Sequence, residues 1–257
     1  MSRLHLTFAC AEATLAGTLD TGPGASGLLL VTGGNEVRSG AFSGQAALAA
    51  RIAAAGYPVF RFDRRGVGDS GGENKGFRKS ARDIECAIAA FRVIAPQVEK
   101  IVGFGNCDGA SALMLAEGAE CDALVLSNPW TIEQDDRVPP PEAVRARYAE
   151  KLKNPREIAR LLSGGVNLGK LAKGLAHARR RKGAPTTLAG EMAAGLAAFQ
   201  GPVRILLAGT DRTAQVFASH WDNSDERVVR CEGAGHAWGE PNARDFLDTQ
   251  LLEMLRG

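Results

Sequence analysis

The sequence predicts a doubly wound α/β fold with a mostly parallel sheet. Short apolar runs alternate with segments of helical period between about residues 27 and 127, which is the pattern of strands joined by crossover helices. The apolar runs are continuous, as in strands covered on both faces. A chain of 257 residues with 45% hydrophobic content is also long enough for one large core plus an insertion.

The elements follow one another in a regular order. Residues 3–8 and 13–19 alternate in polarity and predict a leading antiparallel hairpin. Further strands are predicted at residues 27–31, 57–62, 100–104, 122–127, 202–208 and 227–231. Helices are predicted at residues 45–55, 78–94, 110–117 and 242–255, with one more ending near residue 221. Ligands of such sheets bind beyond the carboxyl ends of the strands, so a functional site is expected there.

A shift in composition interrupts this alternation after residue 128. Between Arg137 and Lys182 there are thirteen Lys or Arg against three Glu, which predicts an inserted basic helical cap at residues 129–190 in a core of residues 1–128 and 191–257. An excess of ten positive charges beside an active site would attract an anionic substrate, carrier or surface. The alternative is a solvated helical excursion whose charges only aid solubility.

The overall composition is that of an ordinary globular protein. A formal net charge of +2 indicates no nucleic-acid partner. Residues 1–16 lack a continuous apolar core, and no later run is long enough to cross a bilayer, so neither a signal peptide nor a membrane span is expected. The five cysteines are odd in number and widely spaced, without a Cys-x-x-Cys pair. We therefore expect a reducing cytoplasm, no metal and no cofactor.

The stretch Gly105-Asn106-Cys107-Asp108-Gly109 joins a predicted strand to a small-residue helix. This is the setting of a nucleophile elbow, where a sharp turn presents one side chain and its neighbours must be nearly free of side chains. Cys107 stands at the apex, at a helix amino terminus that favours a thiolate. The alternative is a glycine-rich connection around a buried, inert cysteine.

Two nearby segments are candidates for the rest of the site. The N–H of Asp108 and one from the turn at Gly34 and Asn35 are expected to bind a developing oxyanion. Glu36 follows this turn and is predicted either to contact the thiol or to be a solvated carboxylate. The glycine-rich and charged loop that begins at Asp63 and Arg64 is expected to brace the site or to contact the substrate.

Cys107, Asp211 and His236 each follow a predicted strand, in the order nucleophile, acid, base. Loops at one edge of a parallel sheet converge in space, so the three side chains are predicted to form a catalytic triad. Singly, Asp211 could be a helix N-cap and His236 a satisfied loop histidine. The other histidines lie on a strand, in the basic segment and at a helix end, and are weaker candidates: His5, His177 and His220.

Several motifs together resemble the α/β-hydrolase superfamily over essentially the whole chain. They are Gly33-Gly34, Asp63-Arg64-Arg65-Gly66-Val67-Gly68-Asp69-Ser70, Gly105-Asn106-Cys107-Asp108-Gly109, Gly209-Thr210-Asp211 and Gly233-Ala234-Gly235-His236. More narrowly, the Cys-Asp-Gly-Ala-Ser elbow with the Asp-Arg-Arg-Gly-Val-Gly-Asp-Ser loop resembles the exosortase A system-associated hydrolases of type 1, which are encoded with exopolysaccharide and protein-sorting genes. Cys in place of Ser departs from most esterases and is similar to dienelactone hydrolase and some thioesterases.

The resemblance implies an acyl hydrolase that acts on a small-molecule ester or thioester through a thioacyl-enzyme. An acyltransferase that passes the acyl group to an acceptor such as a saccharide hydroxyl is the second expectation. A catalytically weak binding or scaffold protein on a hydrolase fold is the third, because fold alone does not determine function.

Overall fold

The computed structural model describes residues 2–133, 187–222 and 224–257. They form one eight-stranded sheet with helices on both faces, so the predicted doubly wound α/β fold is confirmed. The strongly basic segment from Arg137 to Lys182, and with it nearly all of the predicted cap, lies outside the described residues.

The sheet has one antiparallel edge and a parallel remainder. Its spatial order is β1-β2-β4-β3-β5-β6-β7-β8, with β2 antiparallel to both β1 and β4. All other neighbouring pairs are parallel, which confirms the leading hairpin and the parallel body. The strands are β1 (Arg3–Cys10), β2 (Ala13–Asp20), β3 (Ser26–Val31), β4 (Val59–Phe62), β5 (Lys100–Asn106), β6 (Ala123–Ser127), β7 (Val203–Ala208) and β8 (Val228–Cys231).

Six α-helices are described. They are α1 (Gly44–Ala54), α2 (Ala81–Ile94), α3 (Asp108–Leu115), α4 (Thr187–Ala198), α5 (Arg212–His220) and α6 (Pro241–Arg256). The helix predicted at residues 78–94 divides into a 3₁₀ turn at Phe77–Lys79 and α2, because the first residues bond to i−3 carbonyls. No helix within the described ranges is both long and apolar enough to span a bilayer.

Alternate residues of the central strands face two separate cores. On β3, Leu29 and Val31 join the core formed with α2 to α5. Leu28 and Leu30 of the same strand join the core formed with α1 and α6. Because both faces are covered, the central strands are apolar throughout, which explains the continuous runs in the sequence.

Helix α4 belongs to the packed body of the protein. Its buried residues include Leu188, Met192 and Leu196 in the core with α2 and α3. Gly195 lies against the backbone carbonyl of Met114, so that α4 and α3 approach closely. The predicted domain boundary after residue 190 falls inside this helix.

A disulfide joins Cys10 at the end of β1 to Cys86 on α2, across 76 residues of sequence. The spacing of the cysteines does not predict this pair, because only the packing of α2 against the hairpin brings the two thiols together. A disulfide does not fit the reducing cytoplasm expected from the cysteine pattern, since thiols are kept reduced there.

Candidate active site

Cys107 occupies a sharp turn between β5 and α3. Its backbone angles are φ 58° and ψ −127°, which are unusual for a residue with a side chain. A Cβ at Gly105 would lie 2.5 Å from the nitrogen of Ala110, and one at Gly109 would overlap the carbonyl oxygen of Val31. Cys107 is partly exposed, whereas Cys121 is buried, so an inert buried thiol does not describe it.

Asp211 and His236 meet at the same sheet edge. Asp211 follows β7, His236 lies in the loop after β8, and His236 Nδ1 is 3.0 Å from Asp211 Oδ2. The same carboxylate oxygen accepts a hydrogen bond from the N–H of Ala214 and so caps α5. The helix-cap role and the contact with histidine are therefore fulfilled together.

The pKa of His236 is raised to about 10. The hydrogen bond to Asp211 is the largest cause, and a hydrogen bond with Cys107 is the second, while burial opposes both. At neutral pH the imidazole is therefore held as a cation between a carboxylate and a sulfur, which brings all three triad candidates into one hydrogen-bonded chain.

Two asparagines that the sequence reasoning missed hold the histidine loop. Asn106 Nδ2 and Asn128 Nδ2 both donate to the carbonyl oxygen of His236, at 3.3 and 3.4 Å. Asn128 also donates to Asn106 Oδ1 and accepts from the N–H of Ala208. Their positions at the ends of β5 and β6 were visible in the sequence, but their shared partner, His236, lies more than 100 residues away.

Trp238 also holds the loop that carries His236, on the other side of the histidine. Its indole Nε1 donates to Ser127 Oγ at 2.8 Å, and Ser127 in turn donates to Asn106 Oδ1. On the acid side, Thr210 Oγ1 donates to the carbonyl oxygen of Ala234. The loops that carry the acid and the base are thus tied to each other and to the elbow.

The turn after β3 lies directly against the elbow. A Cβ at Gly33 would overlap the backbone carbonyl oxygen of Asn106 and lie 3.1 Å from Cys107 Cβ, so only glycine allows this approach. The N–H of Gly34 donates to Asp108 Oδ1 at 2.5 Å. Within the described residues, the N–H groups of Asp108 and Asn35 have no acceptor. Two of the expected oxyanion donors are therefore open, and that of Gly34 is taken by the carboxylate that follows the nucleophile.

Arg64 connects this turn to the elbow. Its Nη2 donates to the carbonyl oxygen of Gly34 and lies 3.2 Å from Asp108 Oδ1, while its Nη1 donates to Ser80 Oγ at 3.3 Å. The Arg64 side chain is only 6% exposed. Its hydrogen bonds therefore hold the two loops together from a buried position.

Asp63 and Glu36 differ sharply in their surroundings. Asp63 is fully buried and binds the backbone and guanidinium of Arg38 together with the N–H of Asp69. These contacts are with neighbouring loops. Glu36 is exposed and accepts a hydrogen bond from the N–H of Ala41 at 3.4 Å.

The remaining described histidines have other partners. His5 Nδ1 contacts Thr18 Oγ1, and His220 Nδ1 contacts Thr131 Oγ1. His177 lies outside the described residues. Among the residues that the structure describes, no group of three or more His, Cys, Asp or Glu is arranged to hold a metal ion.

Solved structures with this fold include an esterase and an alpha/beta hydrolase. An esterase from Pyrococcus furiosus aligns over 99% of this chain and 91% of its own, with a TM-score of 0.63 and 14% identity. An alpha/beta hydrolase from Penicillium sp. sh18 aligns over 100% and 98%, with a TM-score of 0.65 and 17% identity. A protein of Butyrivibrio proteoclasticus with bound ferulic acid aligns over 98% and 100%, with a TM-score of 0.58 and 15% identity. At such identities the likeness concerns the fold.

No curated protein matches the sequence significantly. The alpha/beta hydrolase family, by contrast, matches residues 28–249, which span most of the chain and include all three triad candidates. The chain therefore belongs to the alpha/beta hydrolase family, a family of hydrolytic enzymes.

Proposed function

We propose that this hydrolase cleaves a carboxylic ester or thioester through a thioacyl-enzyme on Cys107. The observation that carries the proposal is the hydrogen-bonded chain from Asp211 through His236 to Cys107 at the end of an elbow. The esterase from Pyrococcus furiosus shares the fold, which supports an ester substrate.

In the proposed first step the sulfur of Cys107 attacks the substrate's carbonyl carbon. His236 Nδ1 is engaged by Asp211, so Nε2 is left to hold the thiol proton. The thiolate is the nucleophilic form of cysteine, and the neighbouring imidazole is the group that takes the thiol proton. As the tetrahedral intermediate collapses, His236 gives the proton to the departing alkoxide or thiolate. Asp211 keeps the ring oriented and stabilises its cationic form.

Water completes the reaction. His236, now neutral, takes a proton from a water molecule as the oxygen attacks the thioacyl carbon. Collapse of the second tetrahedral intermediate expels the sulfur of Cys107, which recovers the imidazolium as its partner. The products are the free acid and the regenerated ion pair.

The oxyanion formed in both steps would accept hydrogen bonds from backbone donors beside Cys107. The open N–H of Asp108 is the first, and the turn at Gly34 and Asn35 supplies the second. One such donor typically accounts for about 3–4 kcal/mol of barrier lowering. Use of the Gly34 donor requires the Asp108 carboxylate to turn away from it.

Acyl transfer is the second candidate within the enzymes. It differs from hydrolysis only in the acceptor that attacks the thioacyl-enzyme, for example a saccharide hydroxyl. The resemblance of the elbow and the Asp63 to Ser70 loop to exosortase-associated hydrolases supports a role near exopolysaccharide synthesis. Deleting the gene in its host and measuring exopolysaccharide tests this link, and unchanged amounts and acylation would contradict it.

The proposed substrate is a small molecule, and the basic segment between Arg137 and Lys182 favours one that is anionic or attached to an anionic carrier. Turnover of such a substrate should fall as salt is raised, because screening weakens the attraction. A turnover rate that does not depend on salt would contradict this attraction. Solubility would then be the only role of the basic segment.

The central test is intact-mass spectrometry after exposure to activated esters and acyl thioesters. The wild type should gain one acyl mass, and Cys107→Ala should gain none. Cys231→Ala is the matched control, because Cys231 is the other partly exposed free thiol, and this variant should acylate like the wild type. Full turnover by Cys107→Ala would refute the nucleophile. Failure of the wild-type protein to acylate, or to react with iodoacetamide, would favour the scaffold alternative.

A further inference from the structure

A cavity of about 210 Å³ lies beside the candidate active site, between the β1–β2 turn and the segment from Arg64 to Asp83. We call it the basic pocket. Its charged lining residues are Arg64, Arg65, Lys75, Lys79, Arg82 and Asp83. Five cations against one carboxylate in a concave site is a charge imbalance that the proposed acyl chemistry does not use.

Two of the five positive charges have no carboxylate partner in the described part of the chain, and the other three are ion-paired. Asp83 is nearly fully buried and pairs with Arg65 at 3.0 Å. Arg82 pairs with Glu85, but both side chains are exposed and such pairs contribute little. Lys75 and Lys79 have no carboxylate within 4 Å among residues 2–133, 187–222 and 224–257. The rim of the pocket therefore carries free ammonium groups above a guanidinium floor.

The floor is shared with the active site. Arg64 lines the pocket and also contacts Asp108, the residue after the nucleophile, at 3.2 Å. Asn74, another lining residue, donates to Asn35 Oδ1 in the oxyanion turn at 2.8 Å. Two residues of the pocket wall thus contact the residues that surround Cys107, which places the pocket next to the candidate active site.

We propose that the basic pocket binds a phosphate group of the substrate. This inference rests on the proposed acyl hydrolase activity. Its volume is several times the roughly 30 Å³ that one water occupies in the liquid, and so admits a phosphate. Ammonium groups bind phosphate oxygens as point charges, and Lys75 and Lys79 supply two of them at the pocket. The substrate is accordingly a phosphorylated acyl ester or thioester, with its phosphate in the pocket and its carbonyl at Cys107.

Two thioesters that differ only in a phosphate test this assignment: S-acetylpantetheine and S-acetyl-4′-phosphopantetheine. In the full-length wild type, kcat/KM should be higher for the phosphorylated one. In Lys75→Ala/Lys79→Ala, the ratio of the two values should fall about tenfold, since local positive charge raises capture of anions by about this much or more. Arg92→Ala removes one charge from an exposed position near the carboxyl end of α2 and should keep the wild-type ratio.

Competition by inorganic phosphate tests whether the basic pocket binds free phosphate or a phosphate group of the substrate. Inorganic phosphate should compete with the phosphorylated thioester, with a Ki raised about tenfold in Lys75→Ala/Lys79→Ala. Phosphate binding without any preference for the phosphorylated thioester would overturn the assignment to substrate, and equal ratios in wild type and double variant would overturn the pocket. If neither thioester is hydrolysed, the proposed function fails. Calorimetric titration of phosphate into wild type and double variant then decides the pocket, and equal affinities would overturn it.

Discussion

One carboxylate oxygen of Asp211 serves two partners: it lies 3.0 Å from His236 Nδ1 and accepts a hydrogen bond from Ala214 at the start of α5. The helix amino terminus orients the carboxylate, and the carboxylate orients the imidazole. The position of the base is thereby tied to a buried helix, since Ala214 and Phe217 of α5 belong to the main core.

This double role gives Asp211→Asn a defined effect on stability. Asn is as good an N-cap as Asp, so α5 stays capped. The hydrogen bond to a carboxylate, which is the largest cause of the rise in the pKa of His236 to about 10, is lost. A group whose folded pKa lies above its unfolded value of about 6.5 stabilises fully below that pH. The stabilisation then disappears as pH rises towards 10.

Urea unfolding of wild type and Asp211→Asn between pH 6 and pH 10 measures this effect. The difference in the free energy of unfolding should be largest at pH 6 and should shrink steadily towards pH 10. A difference that stays constant over this range would show that the pair does not raise the histidine pKa. Asp211→Ala also loses the cap, so its deficit should persist at pH 10 by about 1 kcal/mol.

The carboxylate of Asp108 accepts a hydrogen bond from the N–H of Gly34. A developing oxyanion would need the same N–H as its donor. In Asp108→Asn, a neutral amide oxygen is a weaker acceptor and is displaced more easily. We expect the acylation rate constant with a neutral ester to rise by about threefold to tenfold, a part of the effect of one oxyanion donor. Stopped-flow release of p-nitrophenol measures it. A fall in rate would mean instead that the carboxylate is needed to position Arg64 and the turn.

Substitution by alanine should have opposite effects on stability at Gly109 and at Gly190. A Cβ at Gly109 would overlap the carbonyl of Val31, so Gly109→Ala should lower the free energy of unfolding by about 1–3 kcal/mol. A Cβ at Gly190, exposed on α4, would have no atom of the described chain within 4 Å. Gly190→Ala should therefore raise stability by about 0.5–1 kcal/mol through helix propensity. Thermal and urea unfolding compare the two, and equal tolerance would contradict the close packing of the elbow.

The elements that the sequence predicted well are those encoded locally. The apolar runs of β3, β5 and β6 and the glycines around Cys107 need only nearest neighbours to be interpreted, because burial on both faces and a sharp turn leave direct marks on composition. Cys107, Asp211 and His236 each follow a parallel strand. Their convergence at one edge of the sheet could therefore be predicted from topology.

What the sequence did not predict depends on contacts between distant segments. Asn128 and Asn106 act on His236 through its backbone carbonyl, which leaves no mark in the residues around that histidine. The cations of the basic pocket come from both ends of a loop whose irregular path alone brings them together. The pairing of Cys10 with Cys86 likewise depends on how α2 lies against β1.

The Cys10–Cys86 disulfide should make the stability of the protein sensitive to reduction. A crosslink across 76 residues restricts the unfolded chain strongly, and such bonds contribute about 2–4 kcal/mol. Dithiothreitol should therefore lower the free energy of unfolding by this amount in the wild type and leave Cys10→Ala/Cys86→Ala unchanged. Thiol titration in denaturant should find three thiols per chain before reduction, those of Cys107, Cys121 and Cys231, and five after it. Five thiols in protein purified without reductant would contradict the disulfide and return the reducing cytoplasm as the expected compartment.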